Sequence, residues 1–481
     1  MCRDILVTMR RISAIYVWAV VALASLLLSA CVEDGFSNSP SDQPSFSTDT
    51  LRLGLVFTGE GTPTHMFKIH NRHDKGMIVS SLRMRDDAWR DVFRFNVDGM
   101  SGRDFTDVEI RANDSIFVLV EATLPENGAQ LPVEINAPVD IVVNGVVSTV
   151  VLNAYGRDVT RMHEPRITAD TRWEGTKPMQ IFDSLVVDPG VTLTLGEGIQ
   201  LCFHAGAFMR VYGSLVTEGT PQAPVDITGD RFDQVVGRIP YDIMSGQWGG
   251  IEFMPGSNGN RLSHTVVRNT TWGITIDGES AGEETPASDN GSFSLDLVNC
   301  RLRNSAANVL TVRNASVRAV GCELAEAAVN VVEAGEGSSV VLNQCTLANY
   351  YLFSAVSGAL VNVTAENASG DVSNSILYGN GAIVSPGDLF GYDFYLRSSL
   401  LKPKNGTDDD NFIGILWGAD PLFYTVRSDY YFDYRLRDDS PAIAAADPAL
   451  TLPEASVDFY GNTRGAAPDL GAYVYVPSSD L

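Results

Sequence analysis

The sequence predicts an all-β chain in two parts, an antiparallel sandwich followed by a parallel β-helix. Three observations predict it. Between Leu51 and Asp158, short runs of β-branched and aromatic residues alternate with turn residues. Further on, cysteines recur at Cys300, Cys322 and Cys345, at steps of 22 and 23 residues, the period of a solenoid. About ten residues after each column position a second apolar strand returns, as GITI (273–276), VLTV (309–312) and VNVV (329–332).

The chain opens with a basic flank (Arg3, Arg10, Arg11), an apolar run from Ile12 to Leu28, and LSAC ending at Cys31. That is the layout of an export signal. A single membrane anchor is the alternative, but the run is near the lower limit for spanning a bilayer. LLLSAC closely resembles a bacterial lipobox. The resemblance implies a signal peptide over 1–30, cleavage before Cys31 and lipidation of its sulfur. Lipid, rather than a helix, then holds the mature protein to the membrane. The following VEDG resembles the export signal of surface lipoproteins of Bacteroidetes, with an ordinary acidic tether as the other reading. Ser, Pro and Asp over SNSPSDQPSFSTD make a flexible tether of residues 31–46.

Residues 47–160 are expected to form the sandwich. Asp98-Gly99 and Asn144-Gly145 sit between apolar runs, the signal of tight hairpins. About seven strands in this length suggest an immunoglobulin-like type. No cysteine between Cys31 and Cys202 supplies the disulfide of antibody domains. His65, His70 and His73 match no standard metal spacing, so no metal is assigned to them.

The repeat spans 161–400. Aligned on the cysteines, one column reads Thr265, Cys300, Cys322, Cys345, Ser375. A position that accepts Thr, Cys or Ser wants a small side chain inside a stack of strands. In-register neighbours of a parallel sheet point the same way, which disfavours a disulfide, so an interior ladder of reduced thiols is expected. A strained disulfide between adjacent rungs is the alternative. Four residues after the column come Asn269, Asn304, Glu326 and Asn349, a turn ladder in which Asn side chains bond backbone of neighbouring rungs.

VVDPGVTLTLGEGIQLCFHAGAFMRVYGSLVTEGTPQAPVDITG (186–229) and QWGGIEFMPGSNGNRLSHTVVRN (247–269) resemble the opening rungs of right-handed parallel β-helix proteins of the pectate-lyase-like fold. DYRLRDDSPAI (433–443) and DFYGNTRGAAPDLGAYVY (458–475) resemble the end of Bacteroidetes surface lipoproteins of that kind. The resemblance implies a right-handed β-helix, with 401–481 packing on it or capping it. It specifies architecture, not activity.

A net charge of −25 argues against nucleic acid and anionic membrane surfaces as partners, since phosphate contact needs clustered Lys and Arg. Glycan, a surface protein or cations remain. A lyase needs a base and a cation for the uronate carboxylate, yet no lysine lies between Lys177 and Lys402. Arg268 and Arg303 share a column and are expected to line a turn. A hydrolase needs paired carboxylates, whereas the column of Glu252 continues with Thr275 and Thr311. The acidic insert 277–291 and Asp408, Asp409, Asp410 lack the ordered spacing of a calcium loop; no cofactor is assigned, with calcium the only candidate. Trp248 and Trp272 lie one rung apart, and Tyr350, Tyr351 and Phe353 follow; exposed aromatics would stack on sugars, though Trp248 suits the core. These readings converge on a lipid-anchored outer-membrane or cell-surface protein, a noncatalytic glycan- or protein-binding or structural module, with a polysaccharide lyase or glycoside hydrolase acting on an extracellular polysaccharide as the alternative.

Overall fold

The computed structural model describes residues 35–233, 239–278 and 293–480. Cys31 and most of the acidic insert lie outside them. The chain divides into two compact units, the first holding residues up to Pro125 with Glu134–Tyr155, the second Glu126–Val133 with Gly156 onward.

The first unit consists of two five-stranded sheets around one apolar core. Their alternation is that of sheets buried on one side. In Val133–Val143, Ala137, Val139, Ile141 and Val143 point inward while the residues between them stay half-exposed. Asn144 and Gly145 both take positive φ (52° and 76°), as do Asp98 and Gly99 (48° and 86°), the backbone that a two-residue hairpin turn requires. Ten strands replace the expected seven among the described residues. The surplus comprises Ser45–Phe46, Met100–Gly102 and Val108–Ile110, too short to show a period.

The tether expected over 31–46 is also revised from residue 35 onward. Ser45–Phe46 pairs with His70 and Ile69, and the Ser37 N–H donates to the Gly76 carbonyl at 2.8 Å. The Asn144 amide donates to the carbonyls of Ser39 and Asp42 at 3.0 and 2.9 Å. Composition signalled solvation, but Phe46 packs against the core and Phe36 against Gly76, where a side chain would collide with its ring.

The second unit is built on three long parallel sheets, consistent with a parallel β-helix. Among the described residues, face 1 holds eleven strands from Thr160–His163 to Leu416–Trp417, face 2 nine from Arg166–Ile167 to Ala382–Ser385, and face 3 ten from Thr171–Trp173 to Phe412–Ile413. The chain visits the faces in that order and each strand pairs with the strand one rung on. Leu, Ile and Val from all three faces fill the interior. The apolar run at 329–332 is shared between corner and strand, so that strand is Val332–Ala334, later than expected.

The corner from face 3 to face 1 explains the Thr/Cys/Ser column. His264, Asn299, Gly321, Gln344 and Asn374 each take positive φ immediately before Thr265, Cys300, Cys322, Cys345 and Ser375, and all five column residues are fully buried. Cys300, Cys322 and Cys345 each donate to the carbonyl two residues back at 3.4 Å, as Ser375 does at 2.8 Å. Their sulfur or oxygen accepts the N–H of the preceding rung, from Cys300 to Cys322 Sγ at 3.3 Å and from Cys345 to Ser375 Oγ at 3.0 Å. The site asks for a small side chain with one donor and one acceptor, which a thiol or hydroxyl provides. All three thiols are free, and burial pushes that of Cys322 well up.

At the far end of the face 1 strands, Asn269, Asn304 and Glu326 also take positive φ. The Asn269 amide donates to the carbonyls of Asp242 and Met244 at 2.6 and 2.8 Å, and that of Asn349 to Ala327 at 2.9 Å. Asn304 reaches the Asp242 carbonyl at 3.5 Å. Beyond the last rungs the C-terminal segment returns over the outward side of face 1. There Phe423, Tyr434, Leu436, Phe459 and Tyr473 form a second core with Ala325, Ala348, Ile376 and Leu400.

Candidate functional site

Face 2 carries the exposed chemistry. Strand pairing aligns Arg210, Glu252, Thr275, Thr311, Glu333 and Asn362 in one outward column, because their neighbours Met209, Ile251, Ile274, Leu310, Val332 and Val361 all face the core. Arg210 Nε donates to Glu252 at 2.6 Å, with the two side chains 40% and 27% exposed. Its guanidinium also lies 4.6 Å from the Phe208 ring centroid. Three rungs on, Glu333 pairs with Arg313 at 2.7 Å and accepts the amides of Asn308 and Asn330 at 3.1 Å each.

Beside this column stands Trp272. A Cβ on Gly249 would collide with the Cζ2 and Cη2 of its indole, and one on Gly250 would lie 2.9 Å from Cδ1 and Nε1. The nitrogen edge of the ring therefore rests on two bare glycines. Nε1 is buried there without a hydrogen-bond partner. Phe208 lies 6.4 Å away at 48°, completing an aromatic pair that is half-buried on the outward side. Trp248, one rung earlier, points inward, stacked on Phe203 at 4.3 Å with Nε1 donating to the Arg268 carbonyl at 2.8 Å. Tyr351 is buried with its hydroxyl 2.6 Å from that of Ser245, and Phe353 is exposed beside it.

Face 1 carries a denser cluster, and it is covered. Arg268, the last residue of Thr265–Arg268, and Arg303, inside Arg301–Ser305, are register partners on face 1 and point outward from the sheet rather than lining a turn. Arg268 pairs with Asp226 and Asp242 at 3.4 and 3.3 Å. Arg303 pairs with Glu323, which also meets Arg301 at 3.5 Å and accepts the Tyr473 hydroxyl. Burial pushes the Glu323 carboxyl up, but the two guanidiniums and Tyr473 outweigh it and hold the group below the usual range. Glu326, buried beside it, accepts the Tyr434 hydroxyl and the Tyr350 N–H. Burial outweighs those bonds and raises its carboxyl to about 7. Tyr434 and Tyr473 belong to the C-terminal segment, so the chain itself seals this acid pair.

The remaining sequence candidates do not assemble into a centre. Among the described residues no group of three or more His, Cys, Asp and Glu is placed to hold a metal ion. Asp409 is buried and accepts the N–H groups of Leu389 and Asn411 at 2.6 and 3.0 Å, a structural turn. His73 reaches the Gln43 carbonyl at 3.1 Å, away from the strand that carries His65 and His70. Sequence reasoning missed Phe208, Arg210, Glu333 and the Gly249-Gly250 seat. The doublet in QWGGIEF was the available signal, since paired glycines in a strand mark a close approach.

No protein-family model and no curated protein matches the chain. Among solved structures, it is similar to a family 123 glycoside hydrolase from Clostridium perfringens at 8% identity and a TM-score of 0.18, covering 24% of this chain and 26% of that one. A Pseudomonas fluorescens alkylpurine DNA glycosylase, solved on DNA with an abasic-site analog, shows 10% identity and a TM-score of 0.16, covering 24% of this chain and 30% of that one. The chain thus spans about a quarter of either structure, and at such scores neither likeness bears on fold or function.

Proposed function

We propose that this chain is a lipid-anchored outer-membrane or cell-surface protein that binds glycan on the outward side of face 2 without cleaving it. In this reading Cys31 carries the lipid, an immunoglobulin-like sandwich follows, and the β-helix is of the right-handed, pectate-lyase-like kind. One observation carries the noncatalytic choice. The two acids of the face 2 column, Glu252 and Glu333, stand three rungs apart. At about 4.8 Å per parallel rung that is roughly 14 Å, beyond the ~9.5 Å over which glycosidase carboxylates cooperate, while Asp277, the outward acid on the strand next to that of Glu252, is held by the Asn314 amide at 3.1 Å. Trp272 and Phe208 supply apolar ring surface, and the column beside them supplies planar and hydroxyl hydrogen-bonding groups, the two halves of a sugar site.

The test is incubation of the soluble protein, residues 35–481, with acidic and neutral polysaccharides, following both retention and new reducing or unsaturated ends. Retention that a Trp272→Ala variant loses, with no new chain ends, is expected. Turnover that disappears on Glu252→Gln would replace this reading with that of a lyase or hydrolase. For the anchor, Cys31→Ala should leave an unprocessed or soluble form; unchanged mature mass and membrane partitioning would remove the lipoprotein assignment.

A further inference from the structure

We infer that the ligand of face 2 is a neutral glycan and that acidic polysaccharides are excluded by its own ion pairs. This rests on the glycan-binding reading above and names its ligand class. Every arginine on the face 2 strands is already neutralised by a carboxylate of the same surface. Arg166 pairs with Asp188 at 2.7 Å, Arg210 with Glu252 at 2.6 Å and Arg313 with Glu333 at 2.7 Å. The column positions between and beyond them, Thr275, Thr311, Asn362 and Ser385, are uncharged.

Among the described residues of face 2, a uronate carboxylate approaching this surface therefore meets no arginine that lacks a carboxylate partner. It has to displace Glu252 or Glu333 from its arginine, and the displaced carboxylate then stands beside it as a like charge. Glu333 is hard to displace, because the amides of Asn308 and Asn330 also hold it. The net charge of −25 adds long-range repulsion. A neutral sugar meets neither obstacle. Its C–H face rests against Trp272 and Phe208, and its hydroxyls bond the lone pairs that the paired carboxylates retain, with the Thr275 hydroxyl and Asn362 amide alongside.

The experiment is affinity electrophoresis of the full chain in gels containing β-glucan, mannan or xylan against gels containing polygalacturonate or alginate. Wild type should be retarded at least tenfold more strongly by one of the neutral polymers. A Glu252→Gln/Glu333→Gln double variant, nearly isosteric and freeing Arg210 and Arg313, should gain at least threefold in affinity for polygalacturonate, and the gain should vanish in high salt. Wild type held as tightly by polygalacturonate as by the neutral polymers would overturn the inference while leaving glycan binding in place. A double variant that folds, by its circular dichroism, but gains nothing would overturn it as well. Absence of retardation in every gel would instead sink the binding reading on which it stands.

Discussion

Faces 1 and 2 of the β-helix both display arginine-glutamate pairs one rung apart, and they use them in opposite ways. On face 1, Arg301 and Glu323 are register partners, and their column continues through Thr346 and Ile376 beneath the C-terminal segment. Glu323 has no exposed surface there. On face 2, Arg210 and Glu252 are register partners too, yet both remain partly in solvent. The parallel ladder makes the same pair in both places; what lies over it decides whether the pair fastens a segment or presents a surface. Covered pairs are expensive to break because the survivor is left charged in an apolar site, while half-exposed pairs are screened and contribute little.

The sharpest way to break this contrast is Glu323→Ala. It leaves Arg301 and Arg303, both largely covered, without their carboxylate, and a loss of about 3–5 kcal/mol is expected from urea unfolding. Limited proteolysis should then cut first within residues 419–475, and stability within 1 kcal/mol of wild type would show that the cover carries no load. Next in size is the pH response. Glu326 titrates at about 7 in the folded chain against 4.5 unfolded, so the native state binds the extra proton between those values and stability falls as pH rises from 4.5 towards 7. The fall amounts to at most about 3 kcal/mol, and Glu326→Gln should flatten it. Glu323 has the opposite sign: its carboxyl is lowered, so its contribution is present above 4.5 and lost as pH falls through its folded value. Unfolding curves from about pH 2 to 8, with and without Glu326→Gln, separate the two.

Two smaller effects test face 2. Gly250 has φ +142° and a Cβ there would strike the Gly273 carbonyl, so Gly250→Ala should cost about 1–3 kcal/mol by thermal unfolding and unseat Trp272, read as a shift in its fluorescence. Glu252→Gln should change stability by less than about 1 kcal/mol, the scale of a partly exposed pair. A loss near that of Glu323→Ala would mean that face 2 is a load-carrying surface like face 1.

Much of the architecture was legible in the residues. The column Thr265, Cys300, Cys322, Cys345, Ser375 repeats because the corner before it repeats, and a local corner writes a local signature. Hairpins at Asp98-Gly99 and Asn144-Gly145 were legible for the same reason. The docking of residues 35–46 was not, because it depends on Gly76, Ile69 and His70, partners that composition does not reveal. The candidate site was half legible. Glu252, Thr275 and Thr311 fell into line in the sequence, and Glu333 follows Thr311 by a regular step of 22 residues, but Arg210 precedes Glu252 by 42 residues, across a rung of unequal length.

The sequence by itself determined the rung, and tertiary structure decided the side. Trp248 and Trp272 are one period apart, which places them on neighbouring rungs of face 2. Their strands, however, pair Trp248 with Thr270 and Gly250 with Gly273, one extra residue on the later strand. A single inserted residue reverses the alternation of a β-strand, so Trp248 enters the core and Trp272 stands outside on the glycines. The acids of face 1 show the same division. Residues around Glu323 and Glu326 set their place in the ladder, and with it the Arg301 and Arg303 guanidiniums that hold Glu323 low, but the burial that raises Glu326 comes with the C-terminal segment, whose Tyr473 and Tyr434 only chain return brings over the two acids. Periodicity is a property of neighbours in sequence; burial is set by whatever the rest of the chain lays on top.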